Sequence, residues 1–269
     1  MLRGTIRVER VTVSSARLPA AYHGATVAAI SDLHAGMRRG GPAGVRGVVD
    51  TVNSLQPDII VLLGDIVHRP RHATEYLPLL GDLRARIGIW ATLGNHEHAF
   101  DWRARYTRPR GGLPVECWRE LYAELGIELL DNQARALGEP GARIWIVGVG
   151  DAYSGCNDIP AALAPVGDGE FRLGITHSPD LLDDPHIREL DLVLAGHTHG
   201  GQIRIPFVGA LYAPVRRPRQ RGAGMVEASG TRMYVSRGIG EAIPIRLNCP
   251  REIPFVTLTA EDDATQPRT

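Results

Sequence analysis

Lysine is absent from the 269 residues: all 30 basic side chains are arginine, set against 30 acidic ones. Without lysine the chain can form no Schiff base with a carbonyl or with pyridoxal phosphate, and no Walker A loop, whose lysine reaches the β- and γ-phosphates. Cysteine is scarce as well. Cys117, Cys156 and Cys249 are an odd, widely spaced set without a C-x-x-C pair, so neither a zinc knuckle nor a disulfide framework is expected and the reading is a reducing, cytoplasmic protein. The N-terminus interleaves charged and apolar residues and shows no secretory h-region. Its longest uncharged stretch, residues 18–31, is 14 residues long and carries Pro19 and His23, short of the ~20 apolar residues that span a bilayer. Zero formal net charge argues against a broad electrostatic grip on nucleic acid. A G-x-S-x-G elbow is missing and no cysteine has a local histidine partner, so covalent serine or thiol catalysis has no support.

What the chain does have is a series of aliphatic runs. Residues 26–30, 58–63, 88–93, 144–149, 172–175 and 191–194 are, after an opening charge at Asp58, Arg172 and Asp191, runs of apolar character rather than alternating, which suits strands buried on both faces. Helix-like windows at 44–55, 75–84 and 116–125 lie between them, giving the alternation of an α/β layered core. The last third reads as short strands at 203–206, 223–228 and 231–235, with Ser229-Gly230 as a hairpin turn and loops around 215–221 and 244–254. No repeat or sharp shift in composition marks a boundary. The expectation is one domain over residues 1–260, with two packed sheets, followed by a frayed tail at 261–269.

Five of these strands end in side chains that can ligate metal. Residues 26–30 run into Ser31-Asp32-Leu33-His34, 58–63 into Gly64-Asp65, and 88–93 into Gly94-Asn95-His96-Glu97. Residues 172–175 run into Thr176-His177, and 191–194 into Gly196-His197-Thr198-His199. Ligands of open α/β sheets bind at the carboxyl ends of the strands, so the five clusters would share one rim. Singly, each aspartate reads as well as a turn former or helix cap, and a lone histidine is more often surface or satisfied core than ligand. Their joint occurrence in order changes that balance. Gly64, Gly94 and Gly196 stand just before the clusters, where the backbone must approach closely. Two Asp, one Asn and four His, with no thiolate, suit Mn(II) or Fe, with Zn next, and are too rich in nitrogen for Ca or Mg. Seven ligands exceed one tetrahedral ion, whereas two divalent ions sharing a carboxylate fit, as in sites that clamp an in-line displacement at phosphorus.

These blocks, Asp32-Leu33-His34, Gly64-Asp65, Gly94-Asn95-His96-Glu97, His177 and Gly196-His197-Thr198-His199, resemble the calcineurin-like metallophosphoesterases. Residues 200–206, 236–240 and 249–253 extend the resemblance to a bacterial subgroup, the YaeI/YkuE-like phosphodiesterases. The resemblance implies a four-layer α/β/β/α sandwich with two mixed sheets. It implies a first metal held by Asp32, His34, Asp65 and His199, and a second held by Asp65, Asn95, His177 and His197, with Asp65 bridging. His96 would face the phosphate as general acid or charge stabiliser.

The reading is therefore a dimetal phosphoesterase that cleaves a phosphodiester or pyrophosphate by in-line attack of a metal-bound hydroxide. A phosphomonoesterase with the same site stands second. A protein-docking scaffold that has lost its metals stands third, against the complete ligand set. The substrate class implied is a small phosphorylated molecule such as a nucleotide sugar or a lipid-linked diphosphate. Peripheral membrane contact stays open, because two segments are rich in arginine, residues 103–110 beside Trp102 and residues 216–221. For both, a solvated loop is the competing reading. Asp151 and Asp158 read as capping or loop residues, and His23, His68, His72, His98 and His186 carry no assignment.

Overall fold

In the strand Ile59–Leu63 every residue is buried, yet its side chains go two ways. Ile60 and Leu62 pack outward with Val45, Val48, Val49 and Val52 of a helix, while Ile59, Val61 and Leu63 pack inward against a second sheet. The period of two along a strand produces that division. A doubly buried strand therefore reads as an unbroken apolar run, and each such side chain contributes roughly 1.5–3 kcal/mol.

A computed structural model describes residues 6–37, 41–99, 112–210, 212–228, 230–241 and 243–261. The strands are β1 Arg7–Ser15, β2 Thr26–Ile30, β3 Ile59–Leu63, β4 Gly88–Thr92, β5 Glu128–Leu129, β6 Gln133–Leu137, β7 Ile144–Gly148, β8 Phe171–Ile175, β9 Leu192–Ala195, β10 Arg204–Ile205, β11 Gly209–Ala210, β12 Gly224–Ala228, β13 Thr231–Val235 and β14 Glu252–Ala260. The α-helices are α1 Pro42–Ser54, α2 Ala73–Tyr76, α3 Val115–Ala123, α4 Ile159–Leu163 and α5 Pro218–Arg221.

Two six-stranded sheets form, ordered β1-β14-β2-β3-β4-β5 and β12-β13-β9-β8-β7-β6, and β10 and β11 make a separate hairpin. Both sheets are mixed. In the first, β14 is antiparallel to β2 while the other pairs are parallel. In the second, β12 and β6 are antiparallel to their neighbours and β13, β9, β8 and β7 are parallel. The two sheets share one core, in which Val27, Ala29 and Val61 meet Ile146, Leu173 and Leu194. α1 and α3 cover the outer face of the first sheet through Val48, Trp118 and Tyr122, and α4 covers the second through Ile159 and Leu163. This is the four-layer α/β/β/α sandwich.

Several elements depart from the sequence reading, which also did not include β5, β6, β11, α4 and α5. The helix expected over 75–84 is α2 followed by a 3₁₀ segment, Leu77–Asp82. Pro78 and Gly81 lie inside that window; proline lacks the N–H that a helix interior needs, and glycine weakens what is left. β1 was not read as a strand, and β14 begins inside the expected 244–254 loop. Pro254 is tolerated there because β14 pairs with β2 only from Phe255 onward. Among the described residues no helix is long and apolar enough to cross a membrane. The arginine-rich stretch 103–110, Trp102, Ser229 and the tail residues 262–269 lie outside the described residues.

Candidate metal centre

All five expected clusters converge. Asp32 and His34 follow β2, Asp65 follows β3, Asn95 and His96 follow β4, His177 follows β8, and His197 and His199 follow β9. The first three strands belong to one sheet and the last two to the other, so the site lies across the seam between them. The chain turns sharply to reach it. Asp32, His34, Asp65, His197 and His199 all have φ between 46° and 69°, a left-handed conformation that costs non-glycine residues energy and gathers at functional sites. Gly196 permits the approach of the two sheets. A Cβ there would lie 1.8 Å from Ser31 Oγ and 2.6 Å from Asp32 Oδ2.

Two groups each bring three donor atoms within 4.8 Å of one another: Asp32, His34 and His199, and Asp65, His177 and His197. Asp65 Oδ2 lies between the groups, 3.3 Å from His177 Nε2 and 3.7 Å from His34 Nε2. Asn95 Oδ1 is 3.1 Å from His177 Nε2. His34 Nε2 and His199 Nε2 face each other at 3.0 Å.

Hydrogen bonds behind the rings fix which nitrogen is offered. Carbonyls only accept, so His177 donates through Nδ1 to Leu63 O at 2.8 Å, and His197 through Nε2 to Pro214 O at 3.0 Å. The opposite nitrogens, His177 Nε2 and His197 Nδ1, then meet at 3.1 Å inside the site. Such orientation by an outer hydrogen bond is how metal-binding imidazoles are held.

Charge follows the same arrangement. Burial holds His34 and His199 well below the usual histidine range and lowers His197 to about 4. These rings are therefore neutral, as ligation requires. Burial works against ionised Asp65, yet His177 and His96 beside it hold its carboxyl well below the usual range. Burial likewise opposes a charge on His177, and Asp65 outweighs it and raises the ring well above its usual value. Burial, reinforced by Asp65, pushes Asp32 up to about 6. Three neutral imidazoles, His34, His197 and His199, and a fourth, His177, that takes up a proton because Asp65 stands beside it, surround the carboxylates; a divalent ion would take the place of that proton, which fits a metal centre.

His96 lies beside these groups. Its Nδ1 donates to His68 O at 2.8 Å, leaving Nε2 toward the site, 4.0 Å from Asp65 Oδ2. A cavity of about 440 Å³ opens over the centre, lined by His34, Asp65, Asn95, His96, Tyr153 and Tyr212 among others.

Three contributors escaped the sequence reading. Glu97 is fully buried, and its carboxyl accepts from the backbone N–H groups of Asp65, Ile66, Val67 and Gly94 at 2.8–3.1 Å. It thereby locks the loop after β3 to the loop after β4. Burial and the Asp65 charge push its carboxyl up to about 7 against the pull of those donors. Arg246 donates through Nη2 to the carbonyls of Arg237 and Gly240 at 2.9 and 2.6 Å, and Gly240 N donates to Asp32 O at 2.6 Å, so Arg246 and the 237–240 turn are tied to Asp32. His68 lines the cavity and forms a third nitrogen-only group with His34 and His96. The Glu97 position within the Gly94–Glu97 block was the signal available; Arg246 left none.

Other expectations fall as follows. Asp151 accepts from the N–H groups of Tyr153 and Ser154, and Asp158 caps α4 through Ala161 N, so both are loop and capping residues. The 216–221 segment is not a free loop. It includes α5, and Asp183 pairs with Arg216 at 3.2 Å and Arg221 at 2.7 Å.

Comparison with known proteins identifies a family. Residues 25–201 match the family described as calcineurin-like phosphoesterase. The chain belongs to that family. Among relatives of this phosphoesterase, the metallophosphoesterase YkuE of Bacillus subtilis is 30% identical over 252 residues, covering 92% of this chain and 83% of the relative. The phosphodiesterase YaeI of Escherichia coli is 33% identical over 206 residues, covering 76% and 71%. The UDP-2,3-diacylglucosamine pyrophosphatase LpxG of Chlamydia trachomatis is 28% identical over 295 residues, covering 92% and 88%. This member of the family is accordingly a hydrolase of phosphoric esters with a metal site.

Proposed function

We propose that this phosphoesterase cleaves a phosphodiester or pyrophosphate bond with two divalent ions, Mn(II) or Fe ahead of Zn. Asp32, His34, Asp65 and His199 would hold the first ion, and Asp65, Asn95, His177 and His197 the second. The observation that carries this is the position of Asp65 Oδ2 between His34 Nε2 at 3.7 Å and His177 Nε2 at 3.3 Å, one from each group. When bound, such ions acidify water, polarise phosphoryl oxygens and neutralise developing charge. The chain's own residues do the rest. His177 and His197 are kept in their ligating tautomers by Leu63 and Pro214. With Nδ1 donating to His68 O, His96 presents Nε2 to the cavity; in the imidazolium form, which carries a proton on both nitrogens, that atom would give a proton to the leaving oxygen or a hydrogen bond to the phosphoryl group. The pairing of LpxG with a nucleotide-linked lipid pyrophosphate and of YaeI with phosphodiesters supports diesters and pyrophosphates over monoesters.

The test combines elemental analysis with rates on a bis-aryl phosphate diester, the matching monoester and a nucleoside diphosphate sugar. Two ions per chain and a higher kcat/KM for the diester or pyrophosphate are expected. Asp65→Ala should cost more activity than His34→Ala and reduce the content of both ions. Saturation at one ion would remove the bridging role, and a hundredfold preference for the monoester would overturn the substrate class while leaving the metal chemistry.

A further inference from the structure

Large apolar side chains gather in the open on one side of the cavity mouth. Phe207 is fully exposed, at 109% of its reference area, and Ile205, Val208, Ile245 and Leu247 are each between 42% and 54% exposed. They form one surface. The β10–β11 hairpin carries Ile205, Phe207 and Val208, and its first strand is tied to the 243–247 strap by Arg204 N to Leu247 O at 3.0 Å and Leu247 N to Gln202 O at 2.8 Å. Gln202 reaches across to Ile243 O and Ile245 O at 2.7 and 2.8 Å. Tyr212 and Ile243 continue this surface into the cavity lining, and both are themselves exposed. Phe207 at the hairpin tip has φ of 64°, a conformation suited to glycine or asparagine and costly for a bulky side chain. The tip thus presents an aromatic ring to water at a conformational cost, and among the described residues no packing covers it.

In sequence, the hairpin and the segment after it carry charge of one sign. Residues 199–226 carry Arg204, Arg216, Arg217, Arg219 and Arg221 and no aspartate or glutamate. Asp183 pairs with Arg216 and Arg221, while Arg217 is exposed and Arg204 half-buried beside the hairpin. An apolar tip flanked by arginines matches a surface with an apolar interior and an anionic face, which is an anionic lipid bilayer.

We infer that the β10–β11 hairpin and the 243–247 strap dock this enzyme on anionic membranes, with Phe207 entering the headgroup layer and the cavity mouth facing the lipid. The inference deepens the proposed function and rests on it in one respect: a site opening onto the bilayer would take a phosphodiester or pyrophosphate carried on a lipid. Docking itself is measured without turnover.

The test is sedimentation of the full chain with vesicles of phosphatidylcholine, with and without phosphatidylglycerol, in parallel with hydrolysis of a water-soluble diester. Binding is expected only when phosphatidylglycerol is present and should weaken as salt screens the arginines. Phe207→Ser should weaken binding by about tenfold or more, Leu247→Ser should weaken it less, and both should leave hydrolysis of the soluble diester unchanged. Vesicle binding that is absent, or unchanged by Phe207→Ser, would overturn the inference. So would a concentration-dependent dimer abolished by Phe207→Ser, which would assign the face to a second copy. Loss of hydrolysis with docking intact would instead count against the proposed chemistry, so the two can fail separately.

Discussion

His96 differs from its neighbours in being dispensable for either proposed metal sphere while still facing the cavity. Its ring is fixed by the bond from Nδ1 to His68 O at 2.8 Å and stands with its centroid 4.5 Å from that of His34. A proton or hydrogen bond from Nε2 helps most when the leaving oxygen is a poor anion, so the benefit belongs to the transition state. Replacing His96 by Asn should lower kcat on an alkyl diester by about 10²–10⁴-fold, or roughly 3–5 kcal/mol of barrier. On a nitrophenyl diester, whose leaving group needs no proton, the loss should be far smaller. Metal content should not change. Equal losses on both substrates would make His96 a charge stabiliser, and loss of an ion would make it a ligand.

At the scale of elements, the sheet is anchored at the end opposite the site. Asp58, just before β3, accepts from the Thr26 backbone N–H at 2.8 Å, the Thr26 hydroxyl at 3.1 Å and Arg86 Nε at 2.6 Å, joining the starts of β2 and β3. Burial opposes its charge, but these donors, Arg86 foremost, hold the carboxyl below its ordinary value. A depressed acid stabilises the fold above the unfolded pKa, near 3.9, and loses that contribution as pH falls through its lower folded value. Asp58→Asn should therefore cost about 1 kcal/mol at neutral pH, and the difference in urea midpoint should shrink as pH falls below the unfolded value. The strands β2, β3, β4, β8 and β9 were legible because double burial leaves continuous aliphatic runs, and their polar ends gave the site. β1 and β14 were not. β1 has exposed charges and only its last residues deeply buried, and β14 carries Pro254; β1 acquires its register only from β14, and β14 from β1 and β2, partners distant in sequence. The roles of Glu97 and Arg246 were hidden for a related reason: both bind backbone groups, 30–32 residues away for three of the four N–H groups on Glu97 and across a loop for Arg246, and no local pattern records a backbone partner.

Across the whole molecule, the proposed metal centre is also a joint. Asp32, His34, Asp65 and Asn95 come from loops of the first sheet, and His177, His197 and His199 from loops of the second. Away from this rim the sheets are held by apolar packing such as Val61 and Leu63 with Ile146, Leu173 and Leu194. At the rim, His34 and His199, and His177 and His197, bring ring nitrogens to 3.0 and 3.1 Å, with the first pair spanning the two sheets. Ions bound here would link both sheets and convert a strained, polar seam into a cross-link. Anything that binds the folded state alone adds RT ln(1 + [L]/Kd), about 2.7 kcal/mol at a hundredfold Kd. For a chain of this size that is roughly 5–10 °C in Tm. Loading with Mn(II) should therefore raise a single melting transition by at least this much, and chelation should reverse it. Asp65→Asn, which removes the charge nearest both groups while keeping the side chain's size, should abolish most of the shift. A melting temperature indifferent to metal, measured by calorimetry on protein of known metal content, would mean that the seam closes without ions. Two separate transitions on chelation would mean that the apolar core between the sheets cannot by itself keep their unfolding cooperative.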